Sequence, residues 1–233
     1  MRKRLYRNAS IEARAEVFLV VLDGKPATTG RGAPLWVPMR ALADAIAEEW
    51  NEQRERIDLA NMPLTALANA AIDRVGTHRG DVVDHGLGFG RSDLLCYRAE
   101  EPVLAARQSA IWDPLLAWVH EKHGIRLMSD AGVSFIEQPA DALLRMQEIV
   151  SGFDNFRLAA FDSAAALTGS FVLALALIDG RLDADAAVAA AQVDELYQAE
   201  KWGHDDEAES RRQRILNESR AVERFVRLIS TSP

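Results

Sequence analysis

The 233-residue chain has a single cysteine, Cys96, so it can close no internal disulfide and build no multi-cysteine zinc site. Nothing in it calls for an oxidising compartment, and a reducing space such as the cytosol is expected. Positive charge is also scarce: 27 Lys and Arg against 35 Asp and Glu give a formal net charge of −8 and a pI near 5.2. Affinity for nucleic acid comes largely from Lys and Arg neutralising phosphates, so no nucleic-acid partner is expected. Long hydrophobic runs are missing as well. The most apolar stretch, 163–178, has 16 uncharged residues, fewer than the ~20 that span a bilayer. No membrane insertion is expected, and the Ala-rich run with Gly169 and Ser170 suits a helix buried among helices. The basic start MRKRLYRNAS leads into no apolar core of a signal peptide.

What is present suffices for a core, with 48% hydrophobic and 27% charged residues. Phe18, Leu19, Val20, Val21 and Leu22 form a β-prone run that stops at Asp23-Gly24, a favoured tight-turn pair. A second short run, Leu35, Trp36 and Val37, lies between Pro34 and Pro38, so antiparallel strands with prolines at edges or turns are expected. From Met39 the period becomes helical. Leu42, Ile46 and Trp50 recur every four residues, a structural stripe expected to pack on the strands. A second helix is expected after Pro63, whereas 77–92, broken by Gly and His, reads as a loop. The Asp113-Pro114 pair is expected to start a new helix, with Asp113 as cap and Pro114 in the first position. Further helices are expected over 140–150, 156–166, 170–177, 184–200 and 205–229, with short strands at 125–128 and 133–136. Periodicity does not settle 94–97 as helix or strand. The fold class is therefore α+β: a small mixed α/β N-terminal domain over residues 1–60 and a larger, all-helical domain over 61–233.

Catalytic patterns are sparse. The Gly-rich segment 85–92 has neither the Lys of a P-loop nor the spacing of a dinucleotide fingerprint. His204, Asp205, Asp206, Glu207 and Glu209 are the densest group of metal-capable side chains, yet acidic residues in a helix's first turn also suit its positive end. A metal-dependent enzyme built on that cluster is the enzymatic alternative. Cys96 sits among apolar residues, where a thiol is inert, and His120 and His123 fit a helix C-terminus. Trp50, Trp112, Trp118 and Trp202 lie on or beside expected helices, as core or as interface anchors. No catalytic residue, cofactor or metal site is expected.

An ordered series of motifs adds to this: Leu22-Asp23-Gly24-Lys25-Pro26, Ala47-Glu48-Glu49-Trp50 with Gln53, Met62-Pro63-Leu64-Thr65, Ile72-Asp73 and Asp93-Leu94-Leu95-Cys96-Tyr97-Arg98. Gln108, Trp112-Asp113-Pro114-Leu115-Leu116 with Trp118, Gln138-Pro139, Gly169-Ser170, Glu195, Gln198 and Trp202-Gly203 with Asp205 and Glu207 continue it. From about Leu5 to Leu228 the chain resembles the ATP-twelve family, assembly chaperones for the α subunit of F-type ATP synthase. The resemblance implies a mixed N-terminal domain, a helical C-terminal domain and an activity without ATP hydrolysis. The implied work is to bind the free α subunit, mask its subunit-facing apolar surface and release it into the α/β ring. A helical scaffold with another client is the non-enzymatic alternative. Family members with a targeting extension are mitochondrial. This chain begins near the first matching residue, which implies a bacterial cytoplasmic relative or a processed matrix form; separately, a monomer is expected. One departure is Ala27-Thr28-Thr29-Gly30, where the family usually continues Lys-Thr-Pro. The expected partner-binding residues are Glu195, Gln198, Trp202 and Asp205; the first three share a helix face at i, i+3 and i+7. A buried or capping role for Glu195 is the alternative.

Overall fold

The computed structural model of the chain describes residues 3–203 and 205–230. They form two compact units, one of residues 3–82, 154–160 and 224–230, the other of residues 83–153, 161–203 and 205–223.

In the first unit, β1 (Ala9–Arg14) pairs antiparallel with β2 (Val17–Leu22), and β2 also pairs with β3 (Lys25–Pro26) and β4 (Trp36–Val37). Asp23 and Gly24 join β2 to β3 with φ of 48° and 78°, the two left-handed residues of a type I′ turn, whose twist matches that of the strands. The Asp23 carboxylate accepts the backbone N–H groups of Asn8 (2.9 Å) and Arg7 (3.0 Å), which hold its pKa below the usual carboxylate range. β1 goes beyond the strands expected from sequence: with Ile11 as its one large apolar residue, it borrows its order from the apolar β2 beside it.

Helix α1 (Arg40–Asn51) packs on β1, β2 and β4. Leu42 and Ile46 are fully buried and Trp50 is 8% exposed, with the Tyr6 ring edge-on at 5.6 Å. The neighbouring Glu49 is buried too. Its carboxylate accepts the N–H groups of Leu64 and Thr65 and the Thr65 hydroxyl, at 2.8, 2.8 and 2.7 Å, at the start of α2 (Pro63–Asn69). Burial pushes the Glu49 pKa up and these bonds pull against it. Through Glu49 the residues after 60 belong with α1, so the expected boundary at 60/61 falls inside the first unit. α2 continues into a π-helical turn, Ala70–Val75, whose Asp73 accepts the Thr29 hydroxyl at 2.7 Å. Distant segments complete the core: Phe156 meets Trp36 edge-on at 5.2 Å and stacks on Phe225 at 6.4 Å.

The division between the units falls within α3 (Arg79–Arg91), α6 (Asn155–Thr168) and α10 (Asp206–Ser230). α3 corrects the loop expected over 77–92. Its glycines are packing positions in a helix: a Cβ on Gly86 would lie 2.9 Å from the Phe161 ring, and one on Gly90 would lie 2.5 Å from Met146 Sδ. Gly88 has open space around it. Two substitutions on one helix therefore have opposite signs. Gly88→Ala gains helix propensity and stabilises by about 0.5–1 kcal/mol. Gly86→Ala collides with a buried ring and loses about 1–3 kcal/mol against that gain. Urea midpoints of the two variants on either side of the parent check this.

Also in the second unit, α4 (Pro102–His123) runs unbroken through Pro114, correcting the helix start expected at Asp113-Pro114. Asp113 caps nothing; it is exposed and accepts Arg98 Nη2 at 2.7 Å. Burial of Trp112, Leu115 and Val119 on one face outweighs the interior proline. Trp112 donates its indole N–H to the Ala190 carbonyl at 2.8 Å. The cap-and-proline signature belongs instead to Glu101 and Pro102, with Glu101 accepting Leu104 N–H at 2.8 Å. Residues 94–97 form a 3₁₀ turn, Leu94–Cys96, and then enter β5 (Tyr97–Arg98). β5 pairs in parallel with β6 (Asp130–Ala131), so this region is not wholly helical, and the strands expected at 125–128 and 133–136 do not form. Helices α5 (Ala140–Ser151) and α7 (Phe171–Ile178) match expectation, and every residue of α7 is buried. The helix expected over 184–200 breaks at Gln192 into α8 (Ala184–Ala191) and α9 (Val193–Trp202). Among the described residues, no helix is long and apolar enough to cross a membrane.

Candidate functional site

Helix α9 has two faces that its sequence spacing separates. Asp194, Tyr197 and Lys201 turn toward α4. Asp194 accepts the Gln108 amide at 2.7 Å, and Gln108 accepts Ala99 N–H at 2.8 Å. Tyr197 is buried and donates its hydroxyl to Glu101 at 2.7 Å. Cations flank its ring, Lys201 Nζ at 4.4 Å and Arg107 at 5.0 Å from the centroid, an arrangement favoured by the negative ring face. The Tyr197 hydrogen bond holds the Glu101 pKa low and that of Lys201 high. Arg107 pairs with Glu200 at 2.7 Å as well.

With that row fixed, Glu195, Gln198 and Trp202 project outward, and all three are exposed. Trp202 is 78% exposed where Trp112 is 1% and Trp50 is 8%. Trp118 is half-buried against Lys122 and His123. Of the four tryptophans set apart by sequence, Trp202 is the one in open solvent. Gly203, at φ 96°, ends the helix immediately after it. Glu195 and Asp205 line one shallow groove of about 60 Å³, floored by Leu196, Ala199 and Ala208. Gln198 and Trp202 stand outside its lining. Asp205 is exposed and accepts Glu207 N–H at 3.0 Å at the entry to α10.

The other candidates take structural places. His204 lies outside the described residues; among those described, no group of three His, Cys, Asp or Glu side chains is placed to hold a metal. Asp206, Glu207 and Glu209 occupy the first turn of α10, with Glu209 paired to Arg212 at 2.6 Å. Cys96 is buried, and burial pushes its thiol up to about 12, far from a reactive thiolate. His123 and Lys122 both reach Asp179, each at 2.8 Å; burial raises that carboxyl's pKa, but the two partners outweigh it and hold it low. His85, from the Gly-rich segment, bonds Asp162 at 2.5 Å. Sequence reasoning missed Glu101, Arg107 and Tyr197, the residues that set α9 in place. The i, i+3, i+7 spacing of Asp194, Tyr197 and Lys201 was the available signal.

The α9 face that is fixed from behind thus leaves a carboxylate and a tryptophan exposed, and the fold around it is that of solved chaperone structures. The chain belongs to the ATP12 chaperone protein family, whose model matches residues 3–120. Atp12 from Paracoccus denitrificans is 38% identical and superposes with a TM-score of 0.93 over 98% of both chains. A chaperone candidate from Agrobacterium tumefaciens is also 38% identical, with a TM-score of 0.92 over 98% of this chain and 86% of that one. The mitochondrial protein atp12 of Schizosaccharomyces pombe is 27% identical over 219 residues, 88% of this chain and 75% of that protein.

Proposed function

We propose that this chain is an assembly chaperone of the F-type ATP synthase that binds the free α subunit and releases it into the α/β ring. Membership of the chaperone family carries the reading, together with the ordered motifs that resemble α-subunit chaperones. An unassembled ring subunit exposes apolar surface that drives aggregation. A chaperone without a fuel source works by mass action: it occupies that surface until a tighter-binding subunit displaces it. The outward row of α9 supplies the contact, with Trp202 as apolar anchor, Glu195 and Asp205 as acidic rim, and Gln198 between them. The chain acts as a monomer, in the bacterial cytoplasm or the mitochondrial matrix, and is not an enzyme.

Glu195→Gln removes one exposed charge and touches no core residue, so it keeps the parent melting temperature while weakening α-subunit capture about tenfold. Co-expression with a His-tagged α subunit, followed by co-purification, measures it. Undiminished capture would remove Glu195 from the contact, and a fall in melting temperature would make it a fold residue. If the native chain neither co-purifies with the α subunit nor keeps it soluble, the proposed client is wrong.

A further inference from the structure

The first unit carries a cavity of about 450 Å³, open to solvent on one side and walled by Thr29, Gly30, Trp50, Leu59, Ala60 and Asn69. That volume lies within the range of small-ligand sites, roughly 300–1,000 Å³. Two of its wall residues carry an unmet hydrogen-bonding atom: Trp50 Nε1, a donor, and Asn69 Oδ1, an acceptor, are both buried without a protein partner. Buried indole N–H groups normally find an acceptor, as Trp112 does here at Ala190. Of the other polar side chains in the wall, Thr28 is exposed to solvent and the rest are engaged. The Thr29 and Thr65 hydroxyls donate to Asp73 and Glu49, both at 2.7 Å. Asp58, the one charged residue of the lining, accepts Ala60 N–H at 3.2 Å and the Asn61 amide at 2.8 Å. The cavity therefore offers one buried donor and one buried acceptor without partners, apolar wall from Ile57 and Leu59, and a single negative charge on Asp58, which its two neutral donors do not cancel.

We infer that this cavity binds an uncharged peptide segment, taking one bulky aliphatic side chain and pairing the adjoining peptide group with Trp50 Nε1 and Asn69 Oδ1. A peptide group carries an acceptor and a donor, the complement of what these two atoms lack, and an aliphatic side chain matches Ile57 and Leu59. A carboxylate would lose hydration there and meet the negative charge of Asp58 instead of a counter-charge. The inference goes beyond the α-subunit reading, because it rests on the first unit alone and holds whichever client α9 meets.

The test uses the full chain labelled with ¹⁵N and the probe N-acetyl-L-leucinamide, which has peptide groups on both sides of a leucine side chain. The Trp50 indole signal, identified by exclusion from single Trp→Phe variants of the other four tryptophans, is expected to shift saturably with a dissociation constant of about 1–10 mM. Free L-leucine, charged at both ends, is expected to shift it at least about fivefold more weakly. Ala60→Phe, which fills the cavity from an exposed position, abolishes the shift at an unchanged melting temperature. Gly30→Leu does the same from the opposite wall should the first variant misfold. An indole signal that stays still up to the solubility limit of the probe, or a shift surviving in both plugged variants, overturns the inference.

Discussion

Trp50→Arg unfolds the first unit under conditions where the parent chain is stable, at a cost of about 4 kcal/mol or more. Two losses add. Removing a buried tryptophan forfeits its packing against α1's own stripe and the Tyr6 ring, which for large aromatic side chains amounts to about 3–5 kcal/mol. The guanidinium then enters a region where the neighbouring carboxylate, Glu49, is already committed to Leu64 and Thr65. Since a whole domain is stable by only about 5–15 kcal/mol, a large share of the chains is lost. Thermal melting and the soluble yield of the variant measure this. Trp50→Phe, which keeps a ring beside Tyr6, is expected to cost about 1–2 kcal/mol. An arginine variant that melts like the parent would remove Trp50 from the structural stripe with Leu42 and Ile46.

Asp93→Ala is expected to cost about 3–5 kcal/mol, because one buried carboxylate serves two helical turns. Its Oδ1 accepts Leu95 N–H at 3.0 Å and the Ser170 hydroxyl at 2.8 Å, and its Oδ2 accepts Val172 N–H at 3.0 Å at the start of α7. Deleting it strands three buried donors, each worth about 1–3 kcal/mol. Burial raises the Asp93 pKa from 3.8 to about 6, with the hydrogen bonds pulling the other way. A folded pKa above the unfolded one means that the native state holds more protons between the two values. The stability contributed by this group is then fully present below about pH 4 and is lost as pH rises through about 6. The loss is on the order of 3 kcal/mol, from a shift of roughly two units. Other carboxylates, such as Asp179 with its lowered pKa, act oppositely in the acid range, so the comparison is with Asp93→Asn, which cannot titrate. The stability difference between parent and Asp93→Asn should shrink from about pH 4 to pH 7 in urea titrations. A difference independent of pH would mean that Asp93 has an ordinary carboxylate pKa.

These residues also mark how far local reading reaches. The Asp23-Gly24 turn, the α1 stripe and the Ser170 start of α7 are legible because each is decided by neighbours within one or two turns: a left-handed pair, a four-residue period, a hydroxyl that caps Leu173 at 3.0 Å. Helix α3 was not legible, because the glycines that weaken its local propensity are required by Phe161 and Met146, more than fifty residues away. Pro114 misled for the same reason, since its helix is held by a buried face that no local window contains.

For the candidate site, sequence spacing alone put Glu195, Gln198 and Trp202 on one side of a helix. That this side faces solvent was decided by Tyr197, Glu101, Arg107 and Lys201, which bring together α9 and α4 across nearly a hundred residues. The pairing of Glu195 with Asp205 in one groove likewise depends on the turn at Gly203. Composition, hydrophobic period and motif order determined the class and most elements of this protein, because those properties act over a few residues. Which face each helix buries, and which carboxylates lose their water, was decided by tertiary packing, where desolvation and steric fit outweigh local propensity.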